Sequence, residues 1–221
     1  MVVEQNDQAA RRSRDRHRRR SAPKLRRSRR DTRRSYDDVD ACRQAIAEVD
    51  EPVVLCGHSY GGVIITEAGV DDRVTQLLYL TSVMPDAGQS QADLVGSEPA
   101  PWLAPSDDGT VGVDPDMVRE FFLQDCDEVT TEQALTRLTR QSLTPFTQPP
   151  RQIAWQQKST TYVVCTQDLA TPADVQRRRV RPGARVVEFD AGHHPFLSRP
   201  DAFAQTIAAA IAIGIAAPPS A

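Results

Sequence analysis

The sequence predicts an α/β protein: a parallel sheet flanked by helices, with a helical cap inserted between its strands. Three observations carry this reading. Short apolar runs rich in β-branched residues recur at Val53–Cys56, Val74–Thr81, Thr160–Thr166 and Arg185–Asp190, as strands buried on both faces do. Helix-like segments separate them, the alternation of βαβ units. Between the second and third runs lies a long stretch with helices of its own, the usual form of a lid over a site.

Regular structure is expected from Ser35. Ser35 and Asp38 resemble a capping pair with acids in the first turn, and Val39, Cys42, Ile46 and Val49 recur at three and four, one face of a helix that Pro52 ends. The strand from Val53 runs into Gly57-His58-Ser59-Tyr60-Gly61-Gly62, and Val63-Ile64-Ile65-Thr66-Glu67-Ala68 continues as a helix. This is G-x-S-x-G in the strand–turn–helix setting that holds a serine out of a strained turn. The flanking glycines are expected where a side chain would clash at the crossing of strand and helix. Ser59 is thus a candidate nucleophile, and the amide of Tyr60, at a helix N-terminus, a candidate oxyanion donor.

After the strand at Val74 comes the loop Met84-Pro85-Asp86-Ala87-Gly88-Gln89-Ser90, and the cap is placed at about 91–157. Within it, 98–115 is rich in Pro, Gly, Ser and Asp. Met117–Leu123 and Thr130–Leu138 read as helices, the second opened by a threonine cap. Asp168 stands just past the next strand, where parallel sheets place their chemistry. Thr171-Pro172-Ala173-Asp174 starts a helix with Pro first. The last strand leads to Ala191-Gly192-His193-His194-Pro195, and Ser198 to Asp201 cap a closing, alanine-rich packing helix.

Ser59, Asp168 and His193 therefore each follow a predicted strand. A serine hydroxyl needs an imidazole to take its proton, and the imidazole needs a carboxylate to fix its tautomer. Asp190 is a rival acid, but it stands three residues before His193 and suits a turn better. His194 is a rival base, restricted by Pro195 behind it. No cofactor motif, metal-ligand spacing or membrane-length apolar segment occurs, and Cys42, Cys56, Cys126 and Cys165 have no metal-like spacing. Cys56 and Cys165 read as small buried hydrophobes. Nothing calls for an oxidising compartment, so a cytoplasmic location is expected.

The net charge of −3 hides an asymmetry. Fourteen of the 27 basic residues lie between positions 11 and 34, and only four of the 30 acids lie before Ser35. The head is therefore about +10 and the body about −13, a body that repels nucleic acid and anionic membranes. Residues 1–34 form a separate arginine-rich head, with Leu25 its only large aliphatic after position 4, so it cannot bury a core and reads as disordered. No apolar stretch makes it a signal. A phosphate-gripping arm, an idle extension and a segment foreign to this fold remain alternatives for it. The folded domain is read as 35–215 and the tail as 216–221.

On these residues the chain, from Ser35 to about Ile213, resembles the α/β-hydrolase superfamily, in particular its small bacterial esterase-like members with G-H-S-Y-G-G. The elbow, the Met84–Ser90 loop, Tyr162–Asp168 and Ala191–Phe196 carry the resemblance, in order. It implies a serine hydrolase without cofactor or metal, acting on a small-molecule ester or related acyl compound through an acyl-enzyme. Plant methylesterases and hydroxynitrile lyases look like distant relatives, but the lyases place a lysine after the histidine, where His194 stands here. The family also begins with a strand ending in His-Gly, whose loop gives the second oxyanion donor. No His-Gly pair occurs here, so N-terminal strands are expected to be missing. The alternative is then a truncated or catalytically weak hydrolase-fold protein that acts as a non-enzymatic binder.

Overall fold

The computed structural model describes residues 35–96 and 100–216. The readings of the arginine-rich head fall on 1–34, outside the described residues, and so does the tail from 217. The chain order is α1 (Ser35–Ala47), β1 (Val53–His58), α2 (Gly61–Ala68), β2 (Val74–Leu80), then α3 (Gln91–Val95), β3 (Leu103–Pro105), β4 (Thr110–Val113), α4 (Pro115–Phe121), α5 (Glu128–Leu135) and β5 (Gln141–Ser142). After two short 3-10 turns come β6 (Ser159–Cys165), α6 (Ala173–Arg179), β7 (Arg185–Phe189), α7 (Pro195–Ser198) and α8 (Pro200–Ala216).

The four long strands form one parallel sheet in the order β1-β2-β6-β7. Its inner strands are buried almost throughout, since helices cover both faces. On one face Val39, Ile46, Ile65 and Ala68 of α1 and α2 pack on Leu77, Tyr79, Tyr162 and Val164. On the other, Phe203 and Ala210 of α8 pack on Leu78, Leu80, Val163 and Cys165. Among the described residues β1 has a neighbour on one side only. That edge position leaves Cys56 exposed, not buried as its apolar run predicts, while Cys165 on inner β6 is buried.

The cap is not purely helical. β3, β4 and β5 form a small antiparallel sheet, with Leu103 opposite Val113 and Thr110 opposite Ser142, which no strand pattern announced. Asp127, not a threonine, opens α5 by accepting from Thr130 N–H. Other local expectations also change. Ser35 makes no pair with Asp38; its N–H and hydroxyl reach Gln148 Oε1 at 2.8 and 2.9 Å, and Val49 lies past the end of α1, exposed. Pro172 sits at the cap of α6, not inside it. Where the cap returns to the sheet, buried Glu67 of α2 accepts from Arg151 Nε at 2.7 Å and Arg151 N–H at 2.9 Å. Close by, Trp155 Nε1 donates to the Pro85 carbonyl at 2.8 Å.

Candidate active site

Ser59 directly follows β1 in the left-handed region, at φ 51°, a conformation that non-glycine residues rarely adopt unless the surroundings hold it. The hold comes from close packing on both sides. A Cβ at Gly57 would lie 2.7 Å from the Gly61 carbonyl oxygen. One at Gly62 would lie 2.1 Å from both Ser82 Oγ and the Val83 carbonyl oxygen. At Gly61 there is nothing within 4 Å, so of the two glycines after the serine it is the second that the crossing requires. Ser82 Oγ donates to the Ser59 carbonyl at 2.5 Å and Ser59 N–H to the Leu80 carbonyl at 3.2 Å. The Tyr60 N–H meets no acceptor among the described residues. Its hydroxyl donates to Asp38 Oδ2 at 2.9 Å, and burial raises its pKa, reinforced by that carboxylate.

Asp168 and His193 meet. His193 Nδ1–H donates to Asp168 Oδ2 at 2.8 Å, and the two residues are 2% and 3% exposed respectively. The same carboxylate oxygen accepts from the Thr81 hydroxyl and from Gln176 Nε2 at 3.3 Å, and Oδ1 accepts from Thr171 N–H at 2.8 Å. Gln176 is itself buried, its amide bonded to both main-chain groups of Cys165, so the turn after β6 is pinned from inside. Donating Nδ1–H leaves Nε2 of His193 as the acceptor nitrogen. The Ser59 hydroxyl does not bond to it in this conformation.

The rival groups are engaged elsewhere. Asp190 is exposed, accepting from Gln167 Nε2 at 2.9 Å and pairing with Arg199 at 3.6 Å. His194 Nδ1–H donates to the Phe122 carbonyl at 3.1 Å, and burial, then the neighbouring His193, push its pKa down to about 4. Nothing in the sequence marks His58 as a functional residue beyond its place in the elbow. Its Nε2–H donates to the His193 carbonyl at 2.8 Å, and burial, then the two other imidazoles, hold its pKa well below the ordinary histidine range. Thr81 and Ser82 also escaped sequence reasoning. They follow β2, and one reaches the Asp168 carboxylate while the other reaches the main chain of Ser59. Only the position of that loop, at the carboxyl end of a strand between β1 and β6, could have pointed to it.

Cap aromatics stand over these groups. The Phe122 ring lies edge-on to His193 with centroids 4.9 Å apart, Trp102 packs on Phe121 and Phe122, and Phe146 stacks on Tyr60 at 5.9 Å.

A parallel sheet with a strained serine turn at one strand end, a buried acid–imidazole pair at two others and a cap above defines an α/β-fold hydrolase. The chain belongs to the alpha/beta hydrolase family, whose model matches residues 11–206. It is 32% identical over 183 residues to the alpha/beta hydrolase nvfD of Aspergillus novofumigatus, covering 75% of this chain and 73% of that protein. It is 29% identical over 182 residues to the pyrethroid hydrolase of Sphingobium wenxiniae, covering 74% and 65%. The crystal structure of a pyrethroid hydrolase from Sphingobium faniae JZ-2 superposes with a TM-score of 0.71 at 26% identity, covering 80% of this chain and 78% of that one. Among the described residues no helix is long and apolar enough to cross a membrane.

Proposed function

We propose that this protein is a serine esterase that cleaves small apolar carboxylic esters through an acyl-enzyme on Ser59. The observation that carries the reading is the buried Asp168–His193 pair, whose acceptor nitrogen is left over at the same end of the parallel sheet as a serine held in a left-handed turn. His193 Nε2 takes the Ser59 proton as Oγ attacks the ester carbonyl carbon. The C=O electron pair moves onto oxygen, where the Tyr60 N–H stabilises the oxyanion. Collapse expels the alkoxide, which takes the proton from His193. Water, deprotonated by the same nitrogen, then releases the acid and frees Ser59. In this reading the Ser59–His193 hydrogen bond tightens only in the substrate complex.

Trp102, Phe121 and Phe122 beside His193, and Phe146 over Tyr60, support an apolar substrate. That two of the similar proteins are named pyrethroid hydrolases supports the same class. The cytoplasmic location expected from the cysteines belongs to this reading. A serine-directed fluorophosphonate is expected to label the protein at Ser59, with Ser59→Ala losing both the label and p-nitrophenyl ester turnover. Labelling or turnover that survives Ser59→Ala rules the assignment out.

A further inference from the structure

We infer that Gln124 and Asp125, the cap residues that follow α4, are positioning residues that clamp both loops of the acid–base pair. The inference rests on the serine-esterase reading and adds a link from cap to base. Gln124 Nε2 donates to the Gln167 carbonyl at 2.7 Å, one residue before Asp168. Asp125 Oδ2 accepts the Gly192 N–H at 2.6 Å, one residue before His193. Gln167 N–H donates in turn to the Ala191 carbonyl at 3.0 Å, so the two loops are also joined to each other. Just upstream in the cap, the Phe122 carbonyl holds His194 and the Phe122 ring lies against His193.

Gly192 makes this fit possible. A Cβ there would lie 2.5 Å from Asp125 Oδ1 and 2.6 Å from Gln124 Nε2. The glycine before the histidine thus has a local reason: it lets a cap carboxylate reach the main chain. Asp125 Oδ1 is buried without a hydrogen-bond partner, so the contact with Gly192 is the carboxylate's own anchor. A carboxylate on an N–H at this distance is a charge-assisted bond, stronger than a neutral one. Proton transfer needs His193 Nε2 in one place, and a shift of about 1 Å in such a group costs about 10² in rate. The clamp therefore acts on turnover more than on substrate binding.

The test compares Asp125→Ala, Asp125→Asn and Gln124→Ala in the full chain, with p-nitrophenyl butyrate as probe. Asp125→Ala is expected to lower kcat by about 10 to 100-fold with KM nearly unchanged. Asp125→Asn keeps an acceptor oxygen for Gly192 and is expected to recover most of that loss. Gln124→Ala, at an exposed position that leaves folding intact, is expected to lower kcat by about 5-fold, the weight of one neutral hydrogen bond. Unchanged kcat in both alanine variants overturns the clamp, as does a loss confined to KM or one that the Asn variant shares in full. Ser59→Ala and Asp168→Asn run beside them. If those two keep turnover, the esterase reading fails and the clamp with it; if they lose it while the alanine variants keep kcat, the clamp alone fails.

Discussion

The proposed nucleophile, Ser59, and the proposed acid–base pair, Asp168 and His193, are held by different means. Ser59 is placed by main chain: a left-handed φ, two glycines without room for a Cβ, and a strand paired on one side among the described residues. Asp168 and His193 are placed by side chains, in a buried cluster where one carboxylate gathers Thr81, Thr171, Gln176 and the imidazole. A group held by main chain tolerates changes in neighbouring side chains but not an added methyl in its turn. A group held by side chains shows the reverse sensitivity, because each buried partner removed leaves another unsatisfied.

The sharpest break is at the acid. Asp168→Asn is expected to lower kcat/KM by about 10⁴, the size of effect seen when a triad imidazole is left in the wrong tautomer. Asp190→Asn, at an exposed site paired with Arg199, is expected to change it by no more than about 3-fold. Steady-state kinetics on the two variants decide it, and the opposite ranking moves the role to Asp190.

At the elbow the same logic predicts an asymmetry between adjacent glycines. Gly62→Ala drives a methyl into Ser82 and the Val83 carbonyl and is expected to cost about 1–3 kcal/mol or more, with turnover lost alongside. Gly61→Ala meets open space at the start of α2 and is expected to be neutral, or to gain up to about 1 kcal/mol from helix propensity. Urea denaturation of both separates the cases; equal losses would mean that the turn is not held by this crossing.

The smallest effect is a pH dependence of stability. His194 has a folded pKa of about 4, below the 6.5 of a free imidazole, so the unfolded chain binds the extra proton. Its contribution is complete above about pH 6.5 and is lost as the pH falls toward about 4. His194→Gln, which can still donate to Phe122, is expected to flatten part of that slope, by less than about 1.4 kcal/mol per pH unit. His58, depressed for the same reasons, supplies a remainder. Denaturation midpoints at pH 7.5 and 4.5 measure the difference, and an unchanged slope would remove His194 from the account.

What was legible in the sequence follows the same division. The four parallel strands are continuous apolar runs because helices bury both their faces, so pattern alone finds them. Ser59, Asp168 and His193 are legible because their residue types stand in order after those strands. The cap sheet is not, since strands of two to four residues, one with Pro105 and one with Gly112, are too short for a period to register. Asp127 and the threonines after it are all competent helix caps, and only tertiary geometry selects among them. Cys56 needed the strand order, not the local pattern, to be placed at an edge. The contacts of Thr81 with Asp168, and of Asp125 with Gly192, span 87 and 67 residues and belong to no motif.

The bond from the Trp155 indole to the Pro85 carbonyl brings together the two places where the chain leaves and rejoins the sheet layer. Everything between them is, in polymer terms, a loop whose ends are already tied. The entropy of closing such a loop grows only with the logarithm of its length, about 0.6 kcal/mol for each doubling. Hairpins and helices can therefore be added to or trimmed from the insertion at small thermodynamic cost. The parallel pairing of β1, β2, β6 and β7, whose ends carry Ser59, Asp168 and His193, contains no residue of the insertion. Length can thus vary in the tethered segment wherever it does not touch the loops of the sheet, whereas Gln124 and Asp125, bonded to Gln167 and Gly192, tie one stretch of it to the ends of β6 and β7.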